Sequence, residues 1–223
     1  MNINTFILTK NDCYRAGRKI RPQGIVVHST GVNQKKMSVF LNSWNKSGVD
    51  TCVHAFIGLR ADGKEGVVQT LPWTMRSWGV GSGKYGSYNN SHIQFEICED
   101  ALKDKVYFDC VFDLAAQLCA FLCRSYAIPI DGIVSHAEAH KNGYASNHAD
   151  CDHWLKKFGK TMNDFRAEVK RMTDLQTTVE HMIEDGVTTE ENRESWEQFL
   201  SGKAPMNPDY VRAIFDRYHE RKG

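Results

Sequence analysis

Gly24-Ile25-Val26-Val27-His28-Ser29-Thr30-Gly31 runs through three β-branched residues, stops on an imidazole and passes directly into a turn. A short, unbroken apolar run bounded by turn residues reads as a strand buried on both faces, which requires helices against its sheet. Ile133-Val134-Ser135-His136 repeats the form, and Asn147-His148-Ala149-Asp150 adds two metal-capable side chains at i and i+2 of an extended loop. A buried strand is a rigid mount for a ligand, and the carboxyl ends of strands are where α/β sheets gather their ligands. Two neutral imidazoles plus one carboxylate leave a zinc ion its fourth position open, as catalytic zinc sites do. His28 and His136 are therefore candidate zinc ligands. Spacing alone leaves the third open between Asp150, which is preferred, and His148.

The intervening sequence fixes the kind of sheet. A helix is expected over Met37–Trp44. Val53–Leu59 then alternates and closes on Ala61-Asp62-Gly63, a hairpin turn from which Gly66–Thr70 can return antiparallel. His92–Cys98 alternates too, with Ile93, Phe95 and Ile97 on one face and His92, Gln94, Glu96 and Cys98 on the other. Val111, Leu114, Ala115, Leu118 and Leu122 recur at helical spacing, and Pro129 marks the loop into the Ile133–His136 strand. Residues 137–159 are polar and rich in histidine, and read as one long functional loop. The fold class is α/β, a mixed central β-sheet flanked by helices.

A helix over Met162–Met172 closes this domain, which is set at residues 1–171. Residues 172–223 read as a small α-helical C-terminal module: Leu175–Glu184, Thr189–Leu200, and Pro208–Arg221 with Asn207 as cap and Pro208 at the first helical position.

With 223 residues, 41% of them hydrophobic, the chain can bury one full core and a small appendage. Its net charge of +1 gives no reason to expect a nucleic-acid partner. The charge is unevenly spread: residues 172–223 carry 6 basic and 11 acidic side chains, leaving 22 against 16, a balance of +6, in residues 1–171. Such a front part is attracted to anionic polymers, and bacterial cell wall qualifies as well as nucleic acid does. Seven cysteines, an odd number, do not make a secreted disulfide framework, so a reducing site of synthesis is expected. The N-terminal stretch lacks a signal-peptide core and no apolar run is seen to approach ~20 residues, so the expectation is a protein made in the cytoplasm without membrane insertion.

Amide hydrolysis at such a site needs a base for the attacking water and a donor for the oxyanion. Glu96, on the polar face of an apolar strand, suits the role of base, because desolvation would raise its pKa while a nearby zinc would oppose that. His148 suits the role of donor if it is not a ligand. His54 reads either as a substrate contact or as a satisfied sheet histidine. Trp73, Trp78 and the loop Gly79-Val80-Gly81-Ser82-Gly83-Lys84-Tyr85-Gly86 read as an adaptable groove wall or as a glycine loop anchored by a core tryptophan.

Taken in order, several motifs carry a resemblance. They are Leu8-Thr9-Lys10-Asn11-Asp12-Cys13-Tyr14, the Gly24–Gly31 stretch, Val53-His54-Ala55-Phe56-Ile57-Gly58 with Asp62-Gly63, Gln69-Thr70-Leu71-Pro72-Trp73, Asn90-Ser91-His92-Ile93-Gln94-Phe95-Glu96-Ile97-Cys98-Glu99-Asp100, and Ser146-Asn147-His148-Ala149-Asp150. Over roughly residues 5–170 the sequence resembles the zinc-dependent N-acetylmuramoyl-L-alanine amidases shared by phage lysins, bacterial autolysins and peptidoglycan-recognition proteins.

The resemblance implies zinc on His28, His136 and Asp150, the last in a slot that holds cysteine or aspartate. It implies Glu96 as the catalytic glutamate. His148 stands where relatives usually have lysine, Val53 where some have a tyrosine, and Gly79 where a histidine commonly follows the tryptophan. His54, Trp78 and Asn90 are the candidate substrate contacts. The implied reaction is hydrolysis of the amide between N-acetylmuramic acid and L-alanine in bacterial peptidoglycan, as a phage or prophage endolysin acting on the wall after release. A non-catalytic peptidoglycan-binding module and a cytoplasmic muropeptide-recycling amidase are the alternatives. The acidic C-terminal helices could bind wall, join two copies or cap the domain.

Overall fold

The computed structural model describes residues 2–222. Six strands form one mixed sheet: β1 Ile3–Thr5, β2 Gly24–Asn33, β3 Ala55–Leu59, β4 Glu65–Gln69, β5 His92–Glu99 and β6 Ile133–Ser135. Their order is β1-β4-β3-β5-β2-β6, and every pairing is parallel except the β3–β4 hairpin. This matches the expected α/β class with its mixed sheet.

The register decides what the sheet presents. Val26 stands beside Gln94 and His28 beside Glu96, with Phe56 in the next strand beside Glu96. Because side chains alternate, these residues share one face, while Ile25, Val27, Ile93, Phe95 and Ile97 fill the other and are essentially sealed from solvent. On the first face α2 (Met37–Trp44) packs on β3, with Met37 and Leu41 meeting Leu8, Phe56 and Val68.

Helix α1 spans Asp12–Ala16, and α3 spans Lys105–Tyr126. Asp104 starts α3 by accepting from the Tyr107 N–H. This helix corrects one sequence expectation, since it is long and apolar enough by length and composition to cross a membrane. In this fold it packs across β3 and β4 and buries Phe108, Val111, Ala115, Leu118, Cys119 and Leu122, with the two cysteines at 119 and 123 acting as small apolar residues.

The stretch read as one loop over 137–159 contains two short helices, α4 His136–Lys141 and α5 Asp152–Lys157. A capping box nucleates α4: Ser135 Oγ accepts from the Glu138 N–H and a Glu138 carboxyl oxygen accepts from the Ser135 N–H, each at 3.1 Å. Arg166 holds that glutamate by two further bonds of 2.9 and 3.0 Å.

Helix α6 runs unbroken over Met162–Glu184, where two helices were expected; no Gly or Pro interrupts it. The chain divides into two compact units within it, residues 2–169 and the segment from Lys170 on. The second unit contains α7 Arg193–Leu200 and α8 Pro208–Lys222, and its core is Val179, Trp196 and Ile214.

Candidate metal centre and catalytic pocket

The parallel pairing of β2 with β6 sets Val27 opposite Ser135, so the next residue on each strand, His28 and His136, arrives at the same place. The β6 strand ends there and His136 becomes the first residue of α4, while the loop before α5 brings in Asp150. Three donor atoms converge: His28 Nδ1 to Asp150 Oδ2 is 2.9 Å, His28 Nδ1 to His136 Nδ1 is 3.2 Å, and His136 Nδ1 to Asp150 Oδ2 is 3.5 Å. Tetrahedral ligands at zinc-like bond lengths stand about 3.3 Å apart, so this triangle fits the ion. Two imidazoles and one carboxylate also suit zinc better than an all-oxygen cation such as magnesium. The residues present fit the metal that the sequence implied, and His148 is not one of the three.

Both histidines are buried. Burial works to raise the Asp150 carboxyl, but hydrogen bonding to His136 and His28 outweighs it and holds that group below the ordinary carboxylate range. Donor geometry and a persistent negative charge therefore occur together at the centre.

Glu96 stands beside His28 in the register and opens partly onto the same pocket, a cavity of about 320 Å³ lined also by Gly79, His136, His148 and Asp150. Its Oε2 is sealed from solvent and has no hydrogen-bond partner among the described residues. Burial pushes this carboxyl well above its usual range, and the charges of Asp150 and Glu99 push the same way. A raised, partnerless carboxyl at a cavity wall can take and hold a proton.

His148 lies at the rim. Its side chain is 61% exposed, its Nδ1 is 3.9 Å from Asp150 Oδ1, and its ring stacks on His136 with centroids 4.7 Å apart. The place suits a donor that meets substrate at the pocket mouth.

The three expected substrate contacts are not in this pocket. His54 is fully buried; its Nε2–H donates to the Met75 carbonyl at 2.8 Å and its Nδ1 accepts from the Gln94 N–H at 3.0 Å. Burial brings its pKa down to about 4, so it is a neutral pin between backbone segments, the satisfied sheet histidine of the two sequence readings. Trp78 lies instead in a neighbouring cavity of about 360 Å³ with Cys13, Arg18, Asp50 and Arg76. The Arg76 guanidinium sits 4.8 Å over the Trp78 ring, and its Nε donates to Asn90 Oδ1 at 2.7 Å, so Asn90 holds that arginine.

Two residues at the site escaped the sequence reading: His153, which lines the pocket, and Glu99, which pairs with it. Glu99, buried at the end of β5, accepts from the Gly31 N–H at 3.1 Å and pairs with His153 Nε2 at 2.9 Å. The spacing of His148, Asp150 and His153 was the available signal, because the first turn of α5 swings His153 back to the site.

The sequence matches the N-acetylmuramoyl-L-alanine amidase family over residues 18–153. Among curated proteins it is similar to Protein Ami of Listeria monocytogenes, 25% identical over 154 residues that make up 65% of this chain and 16% of that protein, so the chain spans about a sixth of that relative's length. The fold is similar to that of the Staphylococcus aureus hydrolase AmiA, solved in complex with its ligand, with a TM-score of 0.60 and 22% identity over 80% of this chain and 86% of that one. A mutant endolysin from Bacillus subtilis superimposes with a TM-score of 0.59 and 23% identity over 76% of this chain and 99% of its own. Since the family match alone spans more than half of the sequence and includes all three residues of the donor triangle, the chain belongs to the N-acetylmuramoyl-L-alanine amidase family.

Proposed function

We propose that this chain cleaves the amide between the lactyl group of N-acetylmuramic acid and the L-alanine of the stem peptide, using zinc held by His28, His136 and Asp150. The observation that carries the reading is the donor triangle, no side longer than 3.5 Å, beside the buried and partnerless Glu96 oxygen. When bound, zinc supplies Lewis acidity toward the scissile carbonyl and makes the attacking water more acidic. Glu96 takes the proton of that water on its carboxylate where it opens onto the pocket and passes it to the leaving nitrogen of L-alanine. His148, at the rim, donates a hydrogen bond to the carbonyl oxygen as charge develops there. Buried His28 and His136 keep their lone pairs directed into the site, and pairing with Glu99 holds His153 in the pocket wall.

All three donor positions are metal-competent, which favours an enzyme over a non-catalytic wall-binding module. An endolysin role, acting on the wall after release from the cell, is the biological setting we assign; similarity to a Bacillus subtilis endolysin supports it at the level of the fold. Mass spectrometry of digested peptidoglycan tests the bond cut. New L-alanine amino termini are expected, and new reducing sugar ends in their place would overturn the assignment. Comparing intact sacculi with soluble muropeptides separates lysis from recycling, with faster release from sacculi expected.

A further inference from the structure

We infer that Gln94 is the positioning residue that sets the metal-binding tautomer of His28, and that Gly79 is glycine to leave it room. This rests on the zinc reading of the site, but the hydrogen-bond directions are set by backbone amides, whose hydrogens are fixed. The N–H groups of Gly79 and Val80 both donate to one side-chain atom of Asn89, at 3.0 and 3.2 Å. That atom must be the carbonyl oxygen, since an amide nitrogen cannot accept. Gln94 meets the same oxygen at 2.8 Å, so the group it presents there must be its NH₂. Its other end is then the carbonyl oxygen, and this end lies 3.1 Å from His28 Nε2. A carbonyl oxygen accepts, so Nε2 keeps its hydrogen, and the proton by which Nδ1, the atom in the donor triangle, bonds to Asp150 is the one a metal displaces. Two backbone hydrogens thus determine, through two side-chain amides, which nitrogen of His28 can bind.

The chain of contacts is fully enclosed: Gln94 and Asn89 are both completely buried and His28 nearly so. An acceptor on the remote nitrogen also increases the basicity of the ligating one. Ser146 Oγ, 3.4 Å from His136 Nε2, stands at the corresponding place on the second histidine but more loosely.

Gly79 makes the arrangement possible. Its backbone is not in the left-handed region, so conformation does not demand a glycine there. Space does: a Cβ at this position would collide with Gln94 Oε1, while its next neighbour, Val53 Cγ1, would be 3.3 Å away and need yield only a few tenths of an ångström. Gly79 and Gln94 are therefore a matched pair. The volume a side chain at 79 would take is filled from β5 by the glutamine.

The test is zinc affinity of the full chain, measured by competition with a chromophoric chelator, on the wild type, Gln94→Ala, Gly79→Ala and the double variant. We expect Gln94→Ala to lose about 10- to 100-fold in affinity, the range for losing the outer hydrogen bond of a ligating histidine. Gly79→Ala, which displaces the glutamine, should lose comparably, yet should add almost nothing on the Gln94→Ala background. Cobalt(II) loaded in place of zinc should show shifted ligand-field bands in both single variants, while the thermal transition of the metal-free proteins reports folding separately. Wild-type affinity in folded Gln94→Ala, or losses that multiply fully in the double variant, would overturn the assignment. Failure of the wild type to bind zinc at all would overturn the metal reading and this inference with it.

Discussion

Lowering the pH should destabilise this protein through His54, and the size of the effect follows from its surroundings. The ring is sealed in the sheet, donates to Met75 and accepts from the Gln94 N–H, so a second ring proton would have to point at another N–H. Its pKa falls from 6.5 to about 4. In the unfolded chain the imidazole titrates near its ordinary value, so between these two pH values the unfolded state binds the extra proton and the native state does not. Stability contributed by the neutral ring is then complete above pH 6.5 and lost as pH falls toward 4, with a limiting slope of about 1.4 kcal/mol per pH unit, or about 3 kcal/mol over the whole interval. Urea unfolding of wild type and His54→Gln from pH 7.5 to 4, both with chelator present, measures this. His54→Gln should be less stable at pH 7.5, and its deficit should shrink by about 3 kcal/mol on acidification. Other groups, including His92 with its pKa also near 4, are present in both proteins and cancel in the difference. Two parallel stability curves would refute the reasoning, and so would a His54 ring that titrates near 6.5 by NMR in the folded protein.

Glu96→Gln should lower kcat on peptidoglycan by about 10²- to 10⁴-fold while zinc, measured by atomic absorption, stays bound. Because the Glu96 carboxyl is raised in the folded state, its contribution favours the native protein at low pH and is lost as pH rises above the ordinary glutamate range; metal-free Glu96→Gln should therefore be the more stable protein at pH 8 in a chemical melt. Asp150→Asn removes the charge that hydrogen bonding to both histidines holds in place, and a chelator titration should show weaker zinc binding by at least tenfold; chelator-treated wild type should regain its activity when zinc is returned. Trp196→Ala empties the centre of the C-terminal core, and should cost about 3–5 kcal/mol there, read as selective loss of hydrogen-exchange protection in α7 and α8.

Much of the site was legible because the strands that carry it announce themselves. The runs ending at His28 and His136 are β-branched and bounded by turns, and the period of two in His92–Cys98 put Glu96 on the polar side. Asp150 was harder, since i and i+2 in a loop leave the choice with His148 to tertiary placement; the structure resolves it by bringing Asp150 Oδ2 to 2.9 Å of His28 while His148 stays at the rim. His54 carried no local mark of its role, because both its partners are backbone groups contributed from a distance, 21 and 40 residues away. The polarity of residues 137–159 hid α4 and α5, whose ends are fixed by a capping box and by tertiary bonds more than by apolar periodicity. Gly79 read as a missing contact; only the neighbouring strand shows that Gln94 occupies its space.

The donors of the metal triangle come from points 108 and 122 residues apart along the chain. No local segment can assemble such a triangle, and an emerging polypeptide that has not yet delivered Asp150 offers two imidazoles and no carboxylate. High-affinity metal capture at this triangle would therefore be a late event, available only to a chain in which β6 has already docked beside β2. On the zinc reading, an ion held there would latch distant parts of this unit's sequence together: at a free concentration about one hundred times its dissociation constant it would add about 2.7 kcal/mol to the folded state. Zinc supply would then govern how long the protein survives as well as how fast it works.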